Sequence, residues 1–423
     1  MKLRGKGRWR PQRLAMVAVI MVWSQSRNLI QRFLEAAGLL GEAKGWSLPT
    51  SYSGFTEALA AEGQRLTSGV KAQLQLSLQK HSRTFWQRHG FTAFAIDGTR
   101  IEAPHTTKNE QGLKIAGRQK SAPQVALTLL YHLGTGLPWD YRLGPGTDGE
   151  RTHARQFIED LPAQSLIVGD AGFVGYELMR ALLLKGHSFL IRAGKNVTLL
   201  TKLGWLVEER DDTVYLWPTL HRQGKPLVLR IIYLEHRQHN RNRRVALLTN
   251  ILDATELSLD TAQELYALRW GEEVFFRSFK QTLERHTLRS RTAENCLREA
   301  EWAVLSLWLL GLLSVTRLIE AGHDPLEWSV AASRDIVRVA LYQPHKKPHP
   351  QHKQRRHRHT LDYQFRRALK DTYKRTGPKK ARNYPRKKQE QPPGTPITQS
   401  APQSLIDRAK SLPPPNIPKH WTA

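Results

Sequence analysis

Seven short segments between Phe91 and Arg192 constrain this chain more than any other feature. Phe91–Asp97 (F-T-A-F-A-I-D), Val125–Leu133 (V-A-L-T-L-L-Y-H-L) and Trp139–Leu143 (W-D-Y-R-L) have the length and apolar content of strands. Gly134-Thr135-Gly136, with Pro138 just after, supplies a hairpin turn between the last two. A helix follows from about Glu150 to Asp160, then a strand at Ser165–Asp170 (S-L-I-V-G-D), a helix from about Val174 to Leu184 and a strand at Ser188–Arg192. This order predicts an α/β domain in which two strands end in aspartate, at Asp97 and Asp170. The glycines of Gly144 to Gly149 imitate a phosphate loop, but no Lys-Ser/Thr follows, so they read as a turn.

The second constraint is the stretch Leu265 to Lys280, L-Y-A-L-R-W-G-E-E-V-F-F-R-S-F-K. On a helix at about 100° per residue, Leu265, Leu268, Phe275, Phe276 and Phe279 fill one apolar arc. Tyr266, Arg269, Glu273 and Lys280 fall within about 60° of one another on the neighbouring arc. One flank would dock on a core while the strip beside it carries a carboxylate, two cations and a phenol. Taken alone, a solvated polar edge explains that strip as well as a site does.

The spacing Y-x2-R-x3-E-x6-K of those four residues resembles the YREK signature of bacterial insertion-sequence transposases of the DDE type. The resemblance implies that Glu273 is the third of three catalytic acids and that Asp97 and Asp170 are the first two. It implies an α/β fold with a ribonuclease-H-like catalytic core, which has the segment order found here; a doubly wound α/β sheet is the competing arrangement. It also implies a mostly β insertion between the second Asp and the Glu. Short strands at Asn196–Thr201, Thr213–Trp217, Leu227–Leu234 and Val245–Thr249, joined by charged connections, fit that insertion. The expected divisions are a helical, DNA-end-binding region at 1–88, core at 89–194, β-rich insertion at 195–258, the Glu-bearing and following helices at 259–342, and a basic Pro-rich tail at 343–423.

Phosphodiester cleavage sets what such a site must supply. The diester repels nucleophiles and the leaving oxygen needs charge stabilisation, a task for two divalent cations held by hard carboxylate oxygens. Asp97, Asp170 and Glu273 are the expected ligands of two Mg²⁺ ions, Asp97 bridging both, with Mn²⁺ able to substitute. Lys280 and Arg269 would hold backbone phosphates, and Tyr266 would donate a hydrogen bond to one. Glu272 is the alternative carboxylate, but it points about 60° outside the strip. In the family a flipped base stacks on Trp; Trp270 is the candidate, with Trp205 and Trp217 as others, and core packing explains each Trp equally well. The partners implied are double-stranded DNA at terminal inverted repeats and at a target site, bridged by a homodimer. Three functions follow: a cut-and-paste transposase working through a hairpin intermediate, a related metal nuclease that never joins, and an inactive DNA-binding descendant.

Composition bounds these readings. A formal charge of +28 over 423 residues points to a polyanion partner, though a membrane surface would attract the same charge. The single cysteine, Cys296, excludes an internal disulfide and suits a reducing bacterial cytoplasm, where the protein would associate with the nucleoid. Basic residues before the apolar run Leu14–Trp23 imitate a secretory signal; the competing reading, a buried helix continued through Phe33-Leu34, is the one expected. Trp302–Val315 is too short for a comfortable membrane crossing and reads as a core helix. The last 81 residues hold 20 Lys+Arg and 4 Asp+Glu and are expected to be mostly extended or disordered without a partner, apart from a basic amphipathic helix at Leu361–Tyr373 able to lie on DNA or on a second subunit. The histidines at 345, 349, 352, 357 and 359 read as solvated charge rather than a metal tract.

Overall fold

The computed structural model describes residues 9–115, 122–206, 208–238, 241–342, 360–370 and 394–413. In chain order these form α1 (Pro11–Trp23), α2 (Leu29–Lys44), α3 (Tyr52–His81), β1 (Ala93–Glu102), α4 (Thr107–Leu113), β2 (Gln124–His132), β3 (Leu137–Pro145), α5 (Glu150–Phe157), β4 (Leu166–Gly169), α6 (Tyr176–Leu184) and β5 (Ser188–Ala193). They continue with β6 (Thr198–Thr201), β7 (Thr213–Leu216), β8 (Leu227–Gln238), β9 (Arg241–Thr249), α7 (Leu259–Leu268), α8 (Trp270–Arg277), α9 (Ala293–Glu320), α10 (Val330–Tyr342), α11 (Leu361–Phe365), β10 (Ile397–Ser400) and α12 (Gln403–Lys410). The class is mixed α/β, as the segment order predicts.

Two compact units share the chain. The first comprises Met1–Trp86, Gly98–Asp148 and Glu272–Asp371. Its centre is α9, whose Trp302, Leu305, Trp308 and Leu310 are all buried. Its length and hydropathy would let it cross a membrane, yet 72% of its apolar window is enclosed by the rest of the protein, so it is a core helix as expected. Around it pack α1, α3, α10 and the β2–β3 hairpin. At Gly311 a Cβ would stand 2.3 Å from Leu137 Cδ2 and 2.8 Å from the Trp328 ring, so a larger residue would force these two side chains to shift. The Leu14–Trp23 run lies in α1 and is buried, as one of its two readings predicts. The helix does not run on to Phe33; Asn28 caps a separate α2 by accepting from the amides of Ile30 and Gln31.

The second unit comprises Gln87–Asp97, Gly149–Gly271 and Thr372–Ala423. Its sheet is ordered β10-β6-β7-β8-β9-β5-β4-β1. Strands β1, β4 and β5 are parallel, with Ala95, Val168 and Leu190 in register, and Phe94, Ile167 and Phe189 beside them buried. Burial on both faces is what a parallel trio requires, and it explains the near-continuous apolar runs. The β-rich insertion continues this sheet: β9 pairs antiparallel with β5, then β8, β7 and β6 follow antiparallel. In the first unit β2 pairs antiparallel with β3, joined by the turn at Gly134-Thr135-Gly136.

Four expectations need correction. Asp97 is the fifth residue of a ten-residue strand, not its end, because extended pairing continues through Gly98–Glu102 after the apolar run stops. The charged connection Glu235–Arg244 is largely strand: Glu235 pairs with Arg244 and Gln238 with Arg241. Of the helix expected at Leu361–Tyr373, residues 371–373 lie outside the described residues; within 361–370 only Leu361–Phe365 is helical, with Phe365 buried, and α11 packs on α9 and α10 of its own unit. The tail is not uniformly extended: β10 adds to β6 as a parallel strand and α12 follows, burying Leu405 and Ala409. The histidine tract at 345–359 lies outside the described residues.

Candidate active site

The two aspartates are placed by strand pairing. Ile96 and Gly169 are register partners on the parallel strands β1 and β4, and Asp97 and Asp170 are the next residues along these two strands. Adjacent strands lie about 4.8 Å apart, and the two residues stand one step beyond the last register pair, at the C-terminal edge of β4. Both residues are half-buried. Beyond β4 the chain turns at once: Asp170 Oδ1 accepts the Gly172 amide at 2.7 Å, and the Asp170 carbonyl accepts the Phe173 amide at 3.1 Å. A Cβ on Gly172 would stand 2.9 Å from Asp170 Oδ1, so glycine is what lets the turn close on the carboxylate. Arg151 of α5 donates from Nε to the Gly172 carbonyl at 2.6 Å, fixing the outer side of that turn. Sequence reasoning missed Arg151 and Gly172, since nothing in their spacing marks them.

Arg269 lies in the same unit as the aspartates. Its Nη1 stands 3.9 Å from Asp97 Oδ2, and its side chain is only 6% exposed. The guanidinium carbon lies 5.5 Å from the Tyr266 ring centroid and 5.2 Å from that of Trp270, so two aromatic faces enclose it. Arg269 is therefore a packed neighbour of the first aspartate rather than part of an open cationic edge. Trp270 is 56% exposed, whereas Trp205 and Trp217 are buried in the insertion, which removes the last two as stacking surfaces.

Glu273 and Lys280 belong to the other unit. The expected single helix is divided: α7 ends at Leu268, α8 begins at Trp270, and Ser278–Thr282 forms a π-helical turn. Of the two adjacent acids, Glu272 is fully buried and Glu273 exposed. The inward residue lies close enough to Tyr131 of β2 that its charge, after burial itself, raises the phenol's pKa. Lys280, in the π-turn, donates to Thr99 Oγ1 at 2.6 Å. Among the described residues no group of three His, Cys, Asp or Glu side chains is close enough to hold a metal ion. The Asp97–Asp170 pair does fit a hard divalent cation in donor type, since Mg²⁺ takes a few carboxylate oxygens and keeps its waters.

Residues 88–309 match the transposase DDE domain family, more than half of the chain, and the protein belongs to that family. One relative is the transposase InsG for insertion sequence element IS4 of Escherichia coli (strain K12), 27% identical over 308 residues. That alignment takes in 68% of this chain and 66% of the relative, just under two thirds of its length. Among solved structures, a piggyBac transposase synaptic complex with hairpin DNA aligns over 89% of this chain and 81% of its own, with 10% identity and a TM-score of 0.38, too distant to bear on the fold.

Proposed function

We propose that the protein is a DNA transposase that cuts strands at the ends of an insertion sequence and joins them to target DNA. The observation that carries this reading is the placement of Asp97 and Asp170 at adjacent register positions in a chain of the DDE family. Asp97 and Asp170 are the residues that would hold Mg²⁺ or Mn²⁺, and Glu273 is the third ligand proposed from its place in the Y-x2-R-x3-E-x6-K spacing. When bound, the metal supplies the charge that activates the attacking water or hydroxyl and stabilises the leaving 3′-oxygen.

The protein's own groups orient and exclude. Arg269, enclosed by Tyr266 and Trp270, fixes the Asp97 carboxylate. The Gly172 amide and, through the turn, Arg151 fix Asp170. Lys280 holds a backbone phosphate near the cut. Trp270, exposed beside Arg269, offers a face for a base turned out of the duplex. Cut-and-paste movement through a hairpin intermediate, a homodimer bridging two terminal inverted repeats, end binding by residues 1–88, and work at the nucleoid of a bacterial cytoplasm complete the proposal.

The test is Mg²⁺-dependent cleavage of a plasmid carrying the gene's native flanks, wild type beside Glu273→Ala. End-specific cuts with hairpinned products, lost in the variant, support the reading. Cutting that persists in Glu273→Ala overturns the assignment of the third acid, and tight binding without cutting overturns the enzyme.

A further inference from the structure

Within the first unit, α1, α2, α3, α9 and the segment carrying Arg285 and Ser290 line a half-open pocket of about 70 Å³ that the catalytic proposal does not use. Much of its wall is apolar, with Phe55, Leu59 and Trp302 among the lining side chains. Into this wall are set three guanidinium groups, those of Arg32, Arg285 and Arg298, and one carboxylate, Glu299. Arg32 is 1% exposed and Arg285 2%. Burial of unpaired charge is expensive, so a buried pair of arginines calls for an account of what balances them.

Helix capping balances part of it. Arg285 donates to the carbonyls of Leu283 and Val22, at 3.0 and 3.5 Å, and Arg32 donates from Nε to the Ser26 carbonyl. Nearby, Arg338 donates to the Trp23 carbonyl at 3.0 Å, so the C-terminal end of α1 is met by cations from two other segments. These bonds satisfy donors without cancelling charge. They also leave Arg32 Nη1 and Arg285 Nε buried with no hydrogen-bond partner among the described residues. The carboxylate of Glu299 is already engaged, accepting the backbone amides of Arg289 and Ser290 at 3.0 and 2.9 Å. Arg285 and Arg32 are close enough that each feels surrounding positive charge: after burial, the Arg32 guanidinium is the largest influence lowering the pKa of Arg285.

We propose that this cavity is a binding site for a phosphate-like oxyanion, held by Arg32 and Arg285 with Arg298 at its edge. An oxyanion matches the unused donors Arg32 Nη1 and Arg285 Nε and adds negative charge beside two buried arginines, with Glu299 and Glu284 the carboxylates that already act on them and Arg298 paired to Glu294 at 3.5 Å. The largely apolar walls lower the local dielectric and strengthen the attraction. The oxyanion is either a free small anion or a phosphate of the DNA backbone; the recognising chemistry is the same.

The experiment uses the full chain and inorganic phosphate at constant ionic strength, with chloride as the balancing salt. Isothermal titration of wild type is expected to show a saturable site, and the thermal midpoint should rise with phosphate along the same isotherm. Arg32→Met and Arg285→Met should each weaken phosphate binding at least tenfold. Arg298→Met, which leaves the helix caps untouched, should weaken it less and keeps the test open should either buried variant fail to fold. Non-saturating heat, or phosphate binding equal in wild type and all folded variants, overturns the proposal and assigns the effect to the basic surface. Duplex DNA separates the two sources. Competition between phosphate and DNA, lost in Arg32→Met, identifies a backbone phosphate; DNA affinity unchanged by phosphate identifies a free anion.

Discussion

Arg269 Nη1 lies 3.9 Å from Asp97 Oδ2, with the arginine side chain 6% exposed and the aspartate side chain 21% exposed. The contact joins the arginine of the Y-R-E-K run to the first aspartate across 172 residues of chain. It changes the role expected of Arg269. A cation enclosed by two aromatic rings and aimed at a carboxylate positions that carboxylate; it is badly placed to track a DNA backbone. Arg269→Met should therefore lower end cleavage by on the order of 10²-fold, the scale of a misplaced catalytic group, while gel-shift affinity for DNA stays within about twofold. Loss of affinity in proportion to activity would return Arg269 to the phosphate-binding set.

Asp97→Ala, Asp170→Ala and Glu273→Ala should each abolish Mg²⁺-dependent cleavage and leave DNA affinity largely intact, because acids do not supply phosphate contacts. Plasmid nicking beside a binding isotherm for each variant checks this. Glu272→Gln is the control: a fully buried residue should affect stability before chemistry.

Lys280→Ala should weaken binding uniformly across DNA sequences and reduce the slope of log affinity against log salt by about one. A salt series from low to physiological ionic strength measures the slope. An unchanged slope would leave the Lys280–Thr99 hydrogen bond as a purely structural contact.

Gly172→Ala tests the turn after β4. The new Cβ would meet Asp170 Oδ1 at 2.9 Å, so the carboxylate must shift. Cleavage should fall while stability changes by only about 0.5 kcal/mol, because residue 172 is exposed. Gly311→Ala is the converse case. Its Cβ would collide with Leu137 and Trp328 in the core, and denaturant unfolding should show a loss of about 1–3 kcal/mol.

Cys296 gives a prediction in pH. Burial pushes its thiol up to about 12, and the Glu299 charge adds to this. A raised thiol pKa disfavours thiolate at every pH below it, so at pH 8 the native protein should hold on the order of 10³-fold less thiolate than an unfolded chain. Iodoacetamide labelling followed by mass spectrometry should find Cys296 unmodified in native protein and modified in urea. Rapid native labelling would mean that α9 opens readily.

Much of the fold is legible in the sequence. A parallel strand buried on both faces must be apolar throughout, so Phe91–Ile96 and Ser165–Gly169 announce themselves. The helix-period run in α9 and the turn residues of the β2–β3 hairpin do the same. What lacks a local signal is less visible. Strand β10 is exposed at all four positions and is held by backbone pairing to β6, which asks nothing of its side chains. The extension of β1 past Asp97 is also silent, because the strand continues after its apolar run has stopped.

By itself, then, the sequence determined which residue types are present and in what order: two aspartates after apolar runs, a Y-R-E-K spacing, a helix-rich start and a basic end. Tertiary structure alone decided their surroundings. Register put Asp97 beside Asp170, and packing turned Glu272 inward and Glu273 outward. Packing also buried Arg269 against Asp97, and drew Arg32 and Arg285 together around one cavity. The reason is physical. Periodicity reports which side of an element avoids water, whereas charge pairing and cavity shape depend on what lies opposite, and the residues opposite are distant in sequence.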